Sequence, residues 1–428
     1  MCEKKVSTMN AEQFLKDIFK AAINAGKGEQ TLIDALPSPP KGKTIVIGAG
    51  KAAATMAKTV EDHYTGNIDD GLVITRYGHS VHCRKIRVVE ASHPLPDGSG
   101  QKAALSILEK VSNLTADDLV ICLLSGGGSA LMSIPAAGIP FTDKQALNKS
   151  LLKCGADIAE INCVRKHISA VKGGRLAKAA YPARVISYAI SDVPGDDPAV
   201  IASGPTVPDP TTFADTMTVI RKYGIKPSAA ITDYLNTAVN ETPKAVDPCF
   251  DRCRMIITAT PQQALEAAAS FAERHGITPL ILGSAIEGEA RETAKVHAGI
   301  VKQIKNYGQP CQSPCVILSG GETTVTVGNN NGRGGRNTEF TLALAEKLNG
   351  VNGVYAIAGD TDGIDGTENA AGAIITPDTL KIASEHGLKA CEYLHNNDSY
   401  SFFERIGSLV ITGPTLTNVN DFRAILIV

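Results

Sequence analysis

Short runs of Val, Ile, Leu and Ala recur along the chain, each closed by Gly, Ser, Pro or Asp and followed by a helical pattern. TIVIGAG (44–50), GLVITRYG (71–78), IRVVEASHP (86–94), LVICLLSGGGSA (119–130) and RVISYAISDVPG (184–195) form a first series. RMIITAT (254–260), PLILGSA (279–285), CVILSGGETTVTV (315–327), VYAIAGDTDG (354–363) and LVITGPT (409–415) form a second, and the closing ILIV reads as a last buried strand. Runs apolar on both faces predict parallel strands joined by crossover helices. The polar, Pro-containing stretch NETPKAVDPCFD (240–251) marks the boundary between a domain over 1–240 and another over 250–428. The fold class expected is α/β, two domains with mainly parallel sheets. A helix over roughly Ala11 to Ala25 fits either domain.

In such sheets ligands bind beyond the carboxyl ends of the strands. Nearly every glycine-rich or polar cluster here follows a predicted strand. The clusters are therefore expected to share one face of each sheet and to line an interdomain cleft.

At 428 residues the chain exceeds one typical core, which agrees with two domains. A net charge of −2, with both signs interspersed, leaves no nucleic-acid footprint. No apolar run approaches the ~20 residues of a membrane span. The start, MCEKKVSTMNAEQFLKDIFKAAINAG, has no signal-peptide pattern, so cytoplasmic residence is expected. Ten scattered cysteines do not form a secreted disulfide framework. Cys249 and Cys253, with Cys311 and Cys315, form two C-x3-C pairs ahead of predicted strands; free thiols are the plainer reading and a structural zinc site the alternative.

Gly48-Ala49-Gly50-Lys51-Ala52-Ala53 fits G-x-G-x-x-A at a strand-to-helix turn, where backbone amides suit phosphate or carboxylate. It is no Walker A loop, because Ile45 stands at the first Gly and Ala52 at the Ser/Thr. It is a poor NAD fingerprint too, because the second strand ends at Thr75-Arg76 with no acid. A tight turn with a solvated Lys51 remains the plain alternative. Ser125, Gly126, Gly127, Gly128 and Ser129 form a second loop, bounded by apolar residues, whose bare amides and flanking hydroxyls suit a di- or triphosphate. Ser319-Gly320-Gly321-Glu322 reads as the analogous turn of the second half.

Asn329 to Asn337 carries Arg333 and Arg336 among glycines, suited to carboxylate or phosphoryl groups or else a solvated loop tip. Asp192, Asp360, Asp362 and Asp365 close predicted strands, where hard oxygens suit Mg2+; the spacing from Asp360 fails the EF-hand pattern, and Asp-Gly turns are common in themselves. His79, His82 and His93 read as ordinary loop histidines rather than zinc ligands. No G-x-S-x-G elbow supports a serine hydrolase.

Taken in order, GAGKAA, ITRYGHS, EASHPLPDGSG, LLSGGGSAL, ISDVPGDDPAVIASGPT, SGGETTVTV, GRGGRNTE, AGDTDGIDG and GPTLTNVND resemble the glycerate 2-kinase family, whose C-terminal part is the MOFRL domain. The resemblance implies two Rossmann-like domains with the active site between them. It implies ATP- and Mg2+-dependent phosphorylation of D-glycerate at its 2-hydroxyl. The family's active-site lysine and arginine match Lys51 and Arg336; the role of Arg333 stays open. Gly48, Gly50, Lys51 and Arg336 are accordingly expected to bind substrate; from the chemistry of the residues themselves, Ser125 to Ser129 with Gly320 and Gly321 are expected to hold nucleotide phosphates. Asp192, with Asp360 or Asp362, is expected to hold Mg2+, and one aspartate, Asp192 first, to take the hydroxyl proton. The expected partners are ATP and glycerate, with a homodimer left open. A hydroxypyruvate reductase using NAD(P)H, or a non-catalytic nucleotide-binding regulator, are the rival readings.

Overall fold

The computed structural model describes residues 10–328 and 332–428, so Asn329, Asn330 and Asn331 lie outside the described residues. Its contacts divide into two units, Gly28–Thr258 and, around it in sequence, the residues up to Lys27 with Ala259–Val428.

In the first unit, β1 (Thr44–Ala49), β2 (Asp70–Arg76), β3 (Arg87–Ala91), β4 (Leu119–Leu124), β5 (Arg184–Ile190) and β6 (Cys253–Ala259) form one sheet in the order β3-β2-β1-β4-β5-β6. The ladders among β1 to β5 are parallel, as the continuous apolar runs predict. Every residue of β1 and of β4 is buried, because helices cover both faces. The strand order reverses direction between β1 and β4, the topological switch point of a doubly wound sheet. Helices Phe141–Leu151, Ile158–His167, Phe213–Lys222 and Ala229–Thr237 build a separate apolar cluster around Leu147, Leu151, Val164 and Phe213.

β6 departs from expectation. RMIITAT reads as the opening strand of the second series, yet it is the edge strand of the first sheet, where Thr258 Oγ1 donates to Ala189 O at 3.1 Å. The polar stretch before it is no free linker. Glu241 accepts from Phe213 N at 3.0 Å and lies 2.7 Å from His167 Nε2, Lys178 pairs with Asp247 at 3.0 Å, and Arg252 Nη2 donates to Ala116 O at 2.7 Å. Polarity marks a boundary only where the polar groups face water alone, and these are bonded back to the first unit.

In the second unit, β7 (Thr278–Gly283), β9 (Cys315–Gly321), β11 (Val354–Asp360), β12 (Gly372–Ile375), β13 (Leu409–Val410) and β14 (Asp421–Ile427) pair in the order β13-β12-β11-β14-β9-β7. A two-residue ladder joins β8 (Gly288–Glu289) to β10 (Thr323–Thr324). That short ladder and the β7–β9 pair are parallel; β14 runs antiparallel to both β9 and β11, and β12 is antiparallel to β11 and β13. The expectation of mainly parallel sheets therefore holds for the first unit and is corrected for the second. A strand covered on both faces is apolar throughout whichever way its neighbours run, so composition carries no direction. The helix Ala11–Gly26 belongs here: Phe14 lies 5.7 Å from Phe271, and Phe19 stacks on Phe422 at 5.5 Å. No described helix is long and apolar enough to cross a membrane.

His297, on helix Ala290–Tyr307, is 2% exposed in this core. Thr293 O lies 2.8 Å from Nδ1 and can only accept, so Nδ1 carries the proton and Nε2 accepts from Ser319 Oγ at 2.9 Å. Burial, with Arg423 adding to it, lowers its pKa to about 4 from 6.5. The unfolded chain thus binds the extra proton between those values. Stability is fully present above about pH 6.5 and declines by up to about 3 kcal/mol as pH falls toward 4. Denaturant titrations of the protein and of His297→Gln across that window check this: the variant should lose that part of the pH slope.

Candidate active site

The turn after β1 and the loop after β4 meet at the switch point. A Cβ on Gly48 would stand 2.9 Å from Leu123 Cβ and overlap the Leu123 carbonyl oxygen. Gly50, at φ +146°, lies so close to Ser125 that a Cβ would overlap its Oγ. These glycines serve strand-to-strand approach, and their amides are already used. Gly50 N donates to Ile74 O at 3.0 Å, Lys51 N to Gly126 O at 2.9 Å and Ala52 N to Ser125 Oγ at 3.0 Å. The turn read as an anion cradle is thus a brace for its neighbour.

The Ser125–Ser129 loop is different. Ser125 N donates to Ala49 O at 3.3 Å and Gly128 N to Ser125 O at 3.1 Å, while the amides of Gly126 and Gly127 donate to no backbone or side-chain acceptor among the described residues. Gly127 sits at φ +81°, the left-handed region that glycine tolerates. Its missing side chain makes room for His93: a Cβ there would be 2.9 Å from the ring's Cδ2 and 3.1 Å from Nε2. Ser129 Oγ lies 2.8 Å from Ser203 Oγ, which donates to Asn162 Oδ1 at 2.9 Å. Asp192 follows β5, the strand beside β4, so Arg76, which closes β2, and His93, Lys51, the glycine loop and Asp192, which follow β3, β1, β4 and β5, all lie at the carboxyl ends of the sheet's strands. His93 reads as an ordinary loop residue in sequence. Only the strand order, which puts β3 on the same edge, brings it to the loop.

In the second unit, Ser319, Gly320 and Gly321 form no turn; they are the end of β9, paired with Arg423, Phe422 and Asp421 of β14. Gly321 is needed because the Ile286 backbone passes against it. Arg336 opens helix Arg336–Leu348, whose first amides are capped from afar: Asp365 accepts from Asn337 N at 2.9 Å and Thr338 N at 2.8 Å. Arg336 itself binds Asp421 through Nε, Asp360 through Nη2 at 2.8 Å and Glu322 through Nη1 at 3.0 Å.

The cause is the β11–β14 register, which sets Asp360 opposite Asp421, two carboxylates that would repel without a cation between them. Burial alone would raise the pKa of Asp421, but Arg423 and Arg336 overcome it and hold the carboxyl below the usual range. Arg333 pairs with Glu368 at 2.7 Å and lies over the Tyr400 ring at 4.2 Å, a role in holding its loop.

Asp360 Oδ1 accepts from Asp362 N at 3.0 Å, and Asp362 Oδ1 accepts from Ile364 N at 2.8 Å. No group of three or more His, Cys, Asp or Glu able to hold a metal is assembled among the described residues, the four C-x3-C cysteines included. Cys253 Sγ instead lies 3.0 Å from Cys249 O. Mg2+ takes most of its ligands from phosphate and water oxygens, so a carboxylate at a strand end, as Asp192 is after β5, fits it without a cluster of protein ligands.

Two family models match: a domain of unknown function (DUF4147) over residues 14–236 and the MOFRL family over residues 315–421. A D-glycerate 2-kinase of Thermotoga maritima is 40% identical, over 96% of this chain and 97% of its own. The chain belongs to the MOFRL-domain glycerate 2-kinase family. Another relative, a putative hydroxypyruvate reductase of Agrobacterium vitis, is 50% identical over 100% of this chain and 97% of its own. The crystal structure of a glycerate kinase from Thermotoga maritima superposes with a TM-score of 0.89 at 39% identity, covering 97% of this chain and 99% of that one.

Two substitutions test the braces that shape this family's strand-end loops here. Gly50→Ala should destabilise by about 3 kcal/mol or more, since strain and overlap with Ser125 add. Gly66→Ala, at φ +77° with open space around it, should lose only about 1 kcal/mol. Equal losses in urea titrations would mean that the β1–β4 approach is not constrained. Arg336→Met should lose about 3–5 kcal/mol, and adding Asp360→Asn should recover part of it.

Proposed function

We propose that this protein is an ATP-dependent glycerate kinase that phosphorylates D-glycerate at the 2-hydroxyl, giving 2-phosphoglycerate and ADP. The observation that carries this reading is the Ser125–Ser129 loop at the switch point, where the amides of Gly126 and Gly127 are left for a ligand while those of the neighbouring turn are not. Bare amides with flanking hydroxyls suit successive phosphate groups. Kinship to a D-glycerate 2-kinase along nearly the whole chain supports the choice of acceptor.

Phosphoryl transfer needs alignment and charge neutralisation more than covalent help. The glycine loop holds the nucleotide phosphates. Lys51, on the adjoining strand end, neutralises the transferring phosphoryl group. Asp192 orients the acceptor hydroxyl and takes its proton late in the transfer, and it is the carboxylate that would hold Mg2+. When bound, Mg2+ would offset charge on the phosphate oxygens. Its ATP requirement suits the cytoplasm.

The reductase name of a half-identical relative keeps a second reading in view. Against it, β2 ends at Thr75-Arg76, where an NAD site places an acid for the ribose. Purified protein should convert D-glycerate and MgATP to 2-phosphoglycerate, and it should not oxidise NADH or NADPH with hydroxypyruvate. The reverse result would replace the kinase by the reductase. Lys51→Ala should lower kcat/KM for glycerate by about 100-fold or more in the same coupled assay.

A further inference from the structure

Three cations crowd together beside the glycine loop, and none has an acidic partner among the described residues. Lys172 is 1% exposed, and its Nζ donates to the carbonyls of Ser129 at 2.7 Å and Met132 at 3.1 Å. Lys144 is equally buried, and its Nζ donates to Ile134 O at 2.6 Å. Arg165, on helix Ile158–His167, uses Nε to reach Asn148 Oδ1 at 3.3 Å, while its terminal nitrogens bond to nothing among the described residues. No carboxylate among the described residues pairs with any of the three, although Lys166, next in sequence, has Asp209 at 3.3 Å.

Burial with too few partners shows in the titration of all three. Desolvation, with Arg165 adding to it, lowers the Lys144 pKa to about 7. Burial, then Lys144 and Arg165, lowers that of Lys172 well below the lysine range. Burial also lowers that of Arg165. Placing like charges together away from water opposes folding by several kcal/mol, so a family of side chains arranged this way calls for an anion.

Space for one is present. A cavity of about 30 Å³ is bounded by Pro94, Ser129, Asn148, Leu152, Arg165 and Lys172. That is room for about the head group of a small acid, since a single water needs roughly 10–15 Å³ on the same measure. The cavity borders the loop already described. Ser129 ends the glycine loop, and Pro94 follows His93, the ring packed on Gly127.

We propose that this cavity is the carboxylate subsite for the three-carbon acceptor, with Arg165 and Lys172 as the binding cations and Asn148 orienting the guanidinium. It rests on the kinase reading for the identity of the acid, but not for the existence of the site. A carboxylate accepts two parallel bonds from a guanidinium and a third from an ammonium, which leaves the hydroxyl end of the molecule to extend toward the glycine loop. Lys144 lies behind, adding positive potential without contact. An alcohol without a carboxylate would find no anchor, so the pocket selects acids over glycerol.

Full-length protein, Arg165→Met and Asn148→Asp test this, the last placing a negative charge against Arg165 without removing a cation. D-glycerate and glycerol are titrated into each by calorimetry without nucleotide, and KM is measured for D-glycerate and for MgATP. The wild-type protein should bind D-glycerate and not glycerol. Both variants should weaken D-glycerate binding and raise its KM by at least about tenfold, with KM for MgATP unchanged within about twofold. If Arg165→Met fails to fold, Asn148→Asp decides alone.

Wild-type glycerate affinity in the folded variants overturns the subsite, as does a rise confined to the KM for MgATP, which would give the pocket to nucleotide phosphate. Glycerate binding that depends on Arg165 in a protein without kinase turnover would keep the subsite and remove the kinase reading. Turnover with unaltered glycerate binding in both variants would do the opposite.

Discussion

Two strands of the first sheet approach so closely at their carboxyl ends that neither Gly48 nor Gly50 could carry a side chain. From that contact the candidate site follows in order. The turn after β1 spends its amides on β2 and on the loop after β4, which fixes the loop's shape. The loop then leaves the amides of Gly126 and Gly127 without acceptors among the described residues, and Gly127 makes space for His93. A backbone donor deprived of partners is unfavourable unless water or a ligand reaches it. The brace and the glycine loop are therefore one device, and a methyl group in the brace would disturb the loop beside it.

The second unit is organised by charge rather than by close backbone approach. β14 places Asp421 between Asp360 on one side and Gly321 on the other, and Arg336 and Arg423 hold the carboxylate from two directions. Arg336 is then a member of a buried network before it is anything else. Asp365 works in the same place by a different route, capping the helix that Arg336 begins. Arg333, Arg336 and Asn337 are thus stitched to four separate stretches of chain, at Glu322, Asp360–Glu368, Tyr400 and Asp421, which a reading of a free loop tip would miss.

How far the sequence was legible varies with the physics involved. The strands of the first sheet and their order along the chain were visible, because continuous apolar runs closed by glycine have few other uses. Family membership was visible from the ordered motifs. The antiparallel direction of β14 was not, since burial on both faces erases the alternation that distinguishes direction. The place of β6 was hidden by Glu241, Asp247 and Arg252, polar residues that bind protein where polarity alone suggests a linker. Glycine likewise has two meanings: in Gly126 and Gly127 it bares amides, and in Gly48, Gly50 and Gly321 it admits a neighbouring backbone. The cationic cluster of Lys144, Arg165 and Lys172 escaped notice because lysine and arginine on helices and turns usually face water. Only burial and the lack of acids set these apart.

The position of β14 has a consequence for how the chain assembles. The first unit can complete its sheet from one continuous stretch, with every strand in hand once β6 exists. The second cannot: its middle strand is Asp421–Ile427, and its helix Ala11–Gly26 precedes the whole of the first unit in sequence. Its contacts are of very long range, so loop-closure entropy must be met before they contribute. During synthesis that helix waits without its partner surface. A shortened chain lacking β14 would not lose an edge; it would separate β13-β12-β11 from β9-β7 and leave two unfinished ribbons exposed.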